Sequence, residues 1–348
     1  MHNFKKALSR ILIFSLLILL IGVPIISVYL TNTYFHYQDN RVRDSLAGQL
    51  DTLYVGSSEG LRGLSPTVMD YYNGTNGYNL SSAMMTMCGR YWLLKHEISR
   101  NDIDLVILEL SYESMARDRE EEGPEGDIPV IGKLPNMAMR AQYIMESFPI
   151  DEIPWLYYHL IEHGAKAISY QFDEWDFDTD EETLERRGYT VTTTNDVSLT
   201  QEEYLRLYHT SNIDTTIVAS NEQYLQKISD LCWENGIELV LITLPQARSY
   251  TTEYADLQVL TDYYHDFADA NGWSYYDFNL LKDRDTLFPE TEAFNDITHL
   301  SHTGAWYATH RLSELIMLEQ AGEDTDTYFY ETHAEMDQSR GYIRRLPE

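Results

Sequence analysis

Cysteine is nearly absent from this chain, and basic residues are far outnumbered by acidic ones. Only two cysteines, Cys88 and Cys232, occur in 348 residues, which excludes a disulfide-dense scaffold and a zinc site built on cysteines. Both lie in apolar patterns of helical spacing, so we expect buried free thiols, with one disulfide as the alternative. The chain contains 25 basic and 56 acidic residues, which gives a formal net charge of −31. Such a charge repels phosphate backbones, so we expect no nucleic-acid partner.

Charged residues are also missing from residues 11–30, ILIFSLLILLIGVPIISVYL. Twenty helical residues span roughly 30 Å, the thickness of the hydrocarbon core of a bilayer. Lys5, Lys6 and Arg10 precede this stretch. The positive-inside rule therefore predicts a cytoplasmic end at 1–10, a single-pass anchor at 11–30 in the cell membrane, and an extracellular remainder. A cleaved signal peptide is the alternative, but the apolar stretch does not end in the small residues of a cleavage site.

Short apolar runs alternate with helical segments along the rest of the chain. Runs that are apolar on both alternations are typical of strands buried on both faces of a parallel sheet. The sequence therefore predicts a doubly wound α/β sheet. The predicted strands are 52–55, 77–80, 104–110, 237–244 and 273–277.

Capping residues predict where helices begin and end. Ser220 is placed to cap a helix that Gly236 closes, and Asn271-Gly272 closes another. Apolar residues between 305 and 316 predict a last amphipathic helix. We expect a linker at 31–50, one domain at 51–318 with a helical and loop insertion at about 112–215, and a loosely attached acidic tail at 319–348.

Ser58 lies where the first predicted strand ends, in the sequence Gly56-Ser57-Ser58-Glu59-Gly60. In doubly wound sheets, reactive groups lie at the carboxyl ends of the strands. We therefore expect an exposed hydroxyl whose own backbone N–H points at a developing oxyanion. The alternative is that Ser57 or Ser58 only caps the helix that follows.

Asp296 and His299 lie just before the last predicted helix. The two residues are three positions apart and can share one turn. The carboxylate of Asp296 can then hold one ring nitrogen of His299, and the other ring nitrogen can take a proton from a serine. The alternatives are a turn aspartate with a surface histidine, and a zinc site that adds His302 as a third ligand. No further ligand cluster supports the zinc site, so we expect no metal.

The Gly56-Ser57-Ser58 turn and the Asp296-x-x-His299 pair resemble the two terminal blocks of the SGNH (GDSL-like) hydrolase superfamily. More narrowly, they resemble its membrane-anchored branch, which includes the D-alanyl transfer protein of teichoic-acid alanylation and the O-acetyltransferases of exported polysaccharides. The segments that agree with this branch are 63–66, 77–80 and 241–245. The resemblance covers about residues 50–317 and implies a three-layer α/β/α fold with a flavodoxin-like sheet.

The resemblance implies an extracytoplasmic esterase or O-acyltransferase that needs no cofactor. Ser58 would form an acyl-enzyme, His299 would act as the base, and Asp296 would orient the histidine. The acyl group would pass to water or to a hydroxyl of a cell-envelope glycan or lipid-linked acceptor. A transferase also implies a multi-spanning O-acyltransferase partner that carries the acyl group across the membrane.

Two positions depart from the superfamily pattern. The asparagine that normally contributes to the oxyanion hole is missing from residues 109–113, and Ser301 replaces the asparagine after His-Leu. We expect Asn79 or the backbone of Gly77 to supply the missing donor. The missing asparagine also leaves a second hypothesis, a catalytically inactive surface scaffold. The match of Gly56-x-Ser58-x-Gly60 to the elbow of α/β-hydrolases is rejected, because that fold needs several strands before its serine.

Overall fold

The computed structural model describes residues 5–17, 22, 34–116, 126–158, 160–161, 185–198, 215–253 and 257–340. Of the predicted anchor at 11–30, only residues 11–17 and 22 fall within these ranges, and the remainder lies outside them. Within the described ranges, no helix has both the length and the apolar character needed to cross a membrane. Parts of the predicted insertion, residues 117–125, 162–184 and 199–214, also lie outside the described residues.

The chain divides into two compact units, residues 1–44 with 131–180 and residues 45–130 with 181–348. In the first unit, Arg43 donates to the carbonyl of Lys133 at 2.5 Å and to the side-chain oxygen of Asn40 at 2.7 Å. Arg140 donates to the carbonyl of Leu134 at 2.9 Å. Two buried arginines thus donate hydrogen bonds to main-chain carbonyls within this unit.

A five-stranded parallel sheet forms the centre of the second unit. Its strands are β1 (Thr52–Val55), β2 (Gly77–Asn79), β3 (Leu105–Glu109), β4 (Glu238–Thr243) and β5 (Ser274–Asp277). They lie in the order β2-β1-β3-β4-β5, the order of flavodoxin-like sheets. Each strand falls within a predicted run, and the prediction of an α/β fold with a parallel sheet is confirmed.

Helices precede, separate and follow these strands along the chain. In chain order they are α1 (Tyr34–Ser45), α2 (Ser58–Gly63), α3 (Pro66–Asn73), α4 (Met87–Ile98), α5 (Asp127–Lys133), α6 (Met137–Ser147), α7 (Ala219–Asn235), α8 (Arg248–Glu253), α9 (Leu257–Asn271), α10 (Arg284–Leu287), α11 (His302–Gln320) and α12 (His333–Arg340). Short 3₁₀ helices cover Phe278–Leu280 and Thr325–Tyr328.

Helices cover both faces of the sheet. On one face, a buried cluster joins Tyr276 of β5 to Ala308 and Leu312 of α11. On the other face, Tyr275 meets Tyr264 of α9 edge-on, with ring centroids 5.6 Å apart. Because successive side chains of a strand point to opposite faces, Tyr275 and Tyr276 place α9 and α11 on opposite sides of the sheet.

The two helix C-termini predicted from glycine are confirmed, whereas the helix N-terminus predicted from serine is wrong. Gly236 ends α7 in the left-handed conformation, with φ 69°, and Gly272 follows α9 with φ 69°. The predicted cap at Ser220 is wrong, because Val218 occupies the N-cap position without a side-chain hydrogen bond. Both predicted glycine positions require a backbone conformation that a Cβ disfavours, whereas serine is only one of several acceptable residues at an N-cap.

The tail is not loosely attached as far as residue 340. His333 at the start of α12 is 1% exposed, and its Nε2 lies 3.3 Å from the hydroxyl of Tyr112 and 3.2 Å from that of Thr261. Met336 and Asp337 are also buried. The expectation is wrong here because a few buried residues fix a segment whose overall composition is polar.

Candidate active site

Ser58 opens α2 directly after the turn that follows β1. Ser57 occupies the N-cap position, where its hydroxyl accepts the backbone N–H of Glu59 at 3.1 Å. The capping function that the sequence allowed for either serine therefore belongs to Ser57. The hydroxyl of Ser58 is left for another contact.

The turn before Ser58 packs on the fully buried side chain of Glu109, at the end of β3. Oε2 of Glu109 accepts the backbone N–H of Ser57 at 2.6 Å. A Cβ on Gly56 would lie 2.6 Å from the Cβ of Glu109, so glycine is needed for this close approach. The carboxylate thus fixes the backbone immediately before the predicted nucleophile.

His299 joins Ser58 and Asp296 in one hydrogen-bonded chain. Its Nε2 lies 2.8 Å from Oγ of Ser58, and its Nδ1 lies 2.8 and 2.9 Å from the two oxygens of Asp296. An imidazole held by a carboxylate on one nitrogen can accept a hydroxyl proton on the other. The structure therefore brings the three predicted residues together, although Ser58 and His299 are 241 positions apart.

Asp296 carries the negative charge of this chain of contacts. Burial raises the pKa of Asp296. The hydrogen bond from the His299 ring, the charge of that ring, and hydrogen bonds from the backbone N–H groups of Thr298 and His299 outweigh burial and lower the pKa to about 2. The two backbone bonds measure 3.0 and 2.9 Å. The ionised carboxylate favours a proton on Nδ1, which leaves Nε2 as the acceptor that faces Ser58.

The loop that carries Asp296 and His299 is closed by its own backbone. Phe294 and Leu300 form an antiparallel bridge, and the N–H of Asn295 donates to the carbonyl of His299 at 2.9 Å. These bonds bring the two ends of a short loop together. Asp296 and His299 are therefore held on one tight turn.

Ser301 connects this loop to α11. Its hydroxyl accepts the N–H of Gly304 at 3.2 Å, which makes it the N-cap of α11. The same hydroxyl donates to the carbonyl of Glu292 at 2.7 Å. The residue that departs from the superfamily pattern at this position therefore caps the last long helix.

A strap of chain without regular secondary structure, residues 189–198, bonds to the loop that carries Asp296 and His299. The backbone N–H of Asn195 donates to the carbonyl of Phe294 at 2.9 Å, and its side-chain amide donates to the carbonyl of Asn295 at 2.6 Å. Thr192 donates its hydroxyl to the carbonyl of Leu300 at 2.7 Å. Sequence reasoning missed the strap, since a polar segment without periodicity carries no signal for where it packs.

The structure does not bring the two predicted oxyanion donors to the nucleophile. The side-chain amide of Asn79 donates to the carbonyls of Gly60 and Leu64, at 2.9 and 2.8 Å. The N–H of Gly77 donates to Oδ1 of Asp70 at 2.9 Å, at the amino end of β2. Both predicted donors are therefore engaged in holding α2 and α3, and the assignment to Asn79 and Gly77 is corrected.

A cleft of about 120 Å³ opens beside Ser58. It is lined by loops that follow β1, β2 and β3, where the carboxyl ends of the strands meet. The residues that line it are Ser57, Ser58, Glu59, Met84, Met85, Thr86, Arg90, Ser111, Glu113 and Ser114.

Arg90 ties these loops together. It is 2% exposed and donates to the carbonyl of Glu109 at 2.5 Å, to the carbonyl of Met85 at 3.3 Å and to the hydroxyl of Ser114 at 3.3 Å. Sequence reasoning missed Arg90 because it lies near the beginning of α4, outside every motif. A charged residue within an otherwise apolar helical stretch was the available signal.

His302, the third ligand of the alternative zinc site, contacts a tyrosine. Its Nδ1 lies 3.1 Å from the hydroxyl of Tyr189. In the part of the chain that the structure describes, no group of three or more His, Cys, Asp or Glu side chains is arranged to hold a metal ion. The geometry around His299 is that of a proton relay to Ser58.

Comparison with protein-family models and with curated proteins found no match to this chain.

Proposed function

We propose that this protein is an SGNH-type serine esterase or O-acyltransferase with Ser58 as its nucleophile. The supporting observation is the 2.8 Å contact between Nε2 of His299 and Oγ of Ser58, with Asp296 on the opposite ring nitrogen. A serine hydroxyl that only capped a helix would need no such partner. The strand order and the position of Ser58 at a strand end agree with the SGNH superfamily.

The proposed reaction begins with transfer of the Ser58 hydroxyl proton to His299. Oγ of Ser58 attacks an acyl carbonyl while its proton passes to Nε2 of His299, and the ring proton on Nδ1 stays with the contact to Asp296. The tetrahedral intermediate then breaks its ester bond, and the leaving alkoxide takes the proton from His299. Water or an acceptor hydroxyl attacks the acyl-enzyme by the same steps and frees Ser58.

The cleft favours a short acyl group. Its volume of about 120 Å³ is small beside the ~300–1,000 Å³ of pockets that enclose drug-sized ligands. We propose a cell-envelope glycan or a lipid-linked acceptor as the second substrate, held outside the cleft. The anchor at 11–30, the extracellular position and a multi-spanning O-acyltransferase partner are parts of the same proposal.

One observation favours a catalytically inactive scaffold as the second candidate. Asn79 and Gly77, the expected oxyanion donors, both donate their N–H groups elsewhere. In serine hydrolases, removal of one such donor slows the reaction by about 10²–10³-fold. A scaffold would keep the fold and show no covalent reaction at Ser58.

Labelling with a fluorophosphonate probe distinguishes the candidates. We expect the full-length protein to be labelled on Ser58, and Ser58→Ala or His299→Ala to lose the label. Ser57→Ala is the matched control, because it removes a neighbouring hydroxyl that caps α2. Absence of label in a folded wild-type protein, or label that persists in Ser58→Ala, would rule the proposed function out. Co-purification of a multi-spanning partner would support transferase over esterase.

A further inference from the structure

Met84, in the loop between β2 and α4, has a backbone conformation that methionine rarely adopts. Its φ is 55°, in the left-handed region, where a Cβ is crowded by the neighbouring peptide. Among the residues that the structure describes, Arg187 is the other non-glycine residue with positive φ. Such a conformation persists only where the surrounding structure imposes it, and residues held in this way cluster at functional sites. The backbone at Met84 is therefore fixed by its surroundings.

Close contacts around Met84 impose this conformation. A Cβ on Gly126 would lie 1.8 Å from the carbonyl oxygen of Met84, so Gly126 packs directly on the peptide that follows Met84. The N–H of Met85 donates to the carbonyl of Ser82 at 3.3 Å. The carbonyl of Met85 accepts Nε of Arg90 at 3.3 Å. These contacts leave the Met84 backbone little room to change.

The same loop is bonded to the turn that precedes the proposed nucleophile. The N–H of Ser82 donates to the carbonyl of Gly56 at 3.2 Å. At the other end of the loop, the hydroxyl of Thr86 accepts the N–H of Gly89 at 3.2 Å and caps α4. Met84 lies between these two anchored points. Its position relative to the nucleophile is therefore set by the protein before a substrate binds.

Met84 supplies the accessible apolar surface of the cleft beside Ser58. Met84 and Met85 are the apolar residues that line this cleft, and the others are polar or charged. Met85 is 3% exposed, whereas Met84 is 41% exposed. A single exposed methionine needs no explanation, but this one lines the cleft in an unfavourable backbone conformation. In a cleft of about 120 Å³, a group that fills the space contacts the side chains of the walls.

We propose that Met84 is the specificity-determining residue for the acyl group, and that its side chain is the apolar wall that limits the length of an acyl chain carried by Ser58. This inference rests on the proposed function and names its acyl substrate class, a short aliphatic group such as acetyl. The unbranched, polarisable thioether of methionine packs well against small apolar groups. A longer chain meets the Met84 side chain, whose backbone cannot retreat because Gly126 and Arg90 hold the adjoining peptides.

Removal of the side chain should extend the space available to the acyl chain. Met84→Ala removes the thioether and leaves only Cβ, so the wall recedes while the polar lining and the pair of Ser58 and His299 stay. In apolar pockets, one methylene changes kcat/KM by about 10–200-fold. The ratio of kcat/KM for a long-chain ester to that for an acetate ester should therefore rise. A residue that only stabilised the loop would change both esters by the same factor and leave the ratio constant.

The test measures kcat/KM of the full-length protein for p-nitrophenyl acetate and p-nitrophenyl octanoate, with the rate of Ser58→Ala subtracted. We expect wild type to prefer the acetate, and Met84→Ala to raise the octanoate-to-acetate ratio by at least about tenfold. Met84→Gly should give the same rise, because glycine accepts the left-handed backbone without strain. Met317→Ala is the matched control, because Met317 of α11 is 40% exposed and lies outside the cleft lining. It should leave the ratio unchanged.

Some results would overturn the inference and leave the proposed function intact. They are a rise below about tenfold in Met84→Ala, an equal rise in Met317→Ala, and a rise in Met84→Ala that Met84→Gly lacks, since the effect would then come from the backbone. If Met84→Ala does not fold, Met84→Gly alone decides. Fluorophosphonate labelling of Ser58 in a protein that accepts neither ester also overturns the inference alone. A wild-type protein with neither labelling nor Ser58-dependent turnover removes the function and the inference together.

Discussion

The hydroxyl of Ser57 accepts the backbone N–H of Glu59 at 3.1 Å, so the residue before the proposed nucleophile caps the helix that the nucleophile opens. Two adjacent serines therefore have separable functions. Ser57→Ala should lower the free energy of unfolding by about 1 kcal/mol, the usual loss for a serine N-cap, and keep the fluorophosphonate reaction. Ser58→Ala should abolish the reaction and leave the unfolding midpoint within experimental error. A Ser58→Ala protein that is destabilised as strongly as Ser57→Ala would contradict this division.

The strap offers a test of which contacts fix the loop that carries Asp296 and His299. Asn195→Ala removes the side-chain bond to the carbonyl of Asn295, the residue before Asp296. Because Asn195 is exposed, we expect little loss of stability and a fall of about tenfold in the labelling rate, through misplacement of His299. Ser198→Ala is the control, since among the described residues the Ser198 side chain bonds within the strap, to Asp196. Equal labelling rates for the two variants would show that the loop holds its shape without the strap.

Asp296 tests the orientation of the histidine. Asp296→Asn removes the charge that holds the proton on Nδ1 of His299, so Nε2 loses its preference for the acceptor form. We expect the labelling rate to fall by about 10³–10⁴-fold, as in other serine triads, with the fold retained. The measurement is the labelling rate at pH 7, with circular dichroism as the check on folding. A loss smaller than tenfold would mean that His299 is oriented by other contacts.

The lowered pKa of Asp296 also predicts a pH dependence of stability. The pKa is about 2 in the folded chain and about 3.9 in an unfolded one, so folding is favoured when the group is ionised. This contribution is complete above about pH 4 and is lost as the pH falls through 2. Nearly half of the side chain is exposed (46%), so the effect is small. Between pH 6 and pH 2.5, urea midpoints should fall further for wild type than for Asp296→Asn, and equal falls would contradict the assignment.

The two thiols provide a test that is independent of function. Cys88 and Cys232 are both free and buried, and burial raises the pKa of Cys232 to about 12. A thiol that stays protonated and buried is a poor nucleophile. We expect iodoacetamide to modify neither cysteine at pH 8 in the native protein and both after denaturation, as read by mass spectrometry. Rapid native modification of Cys232, or a disulfide in the intact mass, would contradict the packing.

The strands could be predicted because each is a short apolar run closed by a turn residue. β4, Glu238–Thr243, is apolar on both alternations and bounded by Gly236 and Pro245. Burial on both faces of a sheet imposes that pattern locally, so the sequence alone carries it. The position of Ser58 followed from the same reasoning, because reactive groups lie at the carboxyl ends of parallel strands. His299 was assigned from its spacing to Asp296 before the last predicted helix and from the resemblance to SGNH hydrolases.

The donors around the nucleophile could not be predicted in the same way. Asn79 was proposed as the substitute for the missing oxyanion asparagine, yet its amide is held by the carbonyls of Gly60 and Leu64. Which partner an amide selects depends on side-chain geometry in three dimensions, and no periodicity encodes it. Glu109 was visible only as the last residue of an apolar strand, where a buried carboxylate has meaning only once Arg90 is seen beside it.

The distance along the chain between the hydroxyl and the imidazole has a consequence during synthesis. Ser58 belongs to the first strand of the sheet and His299 to the loop before α11, 241 positions later. A ribosome that stalls anywhere between them releases a product that has the serine without its base. Under the proposed function, we expect such fragments to be inert towards esters, because the nucleophile would lack the imidazole that accepts its proton.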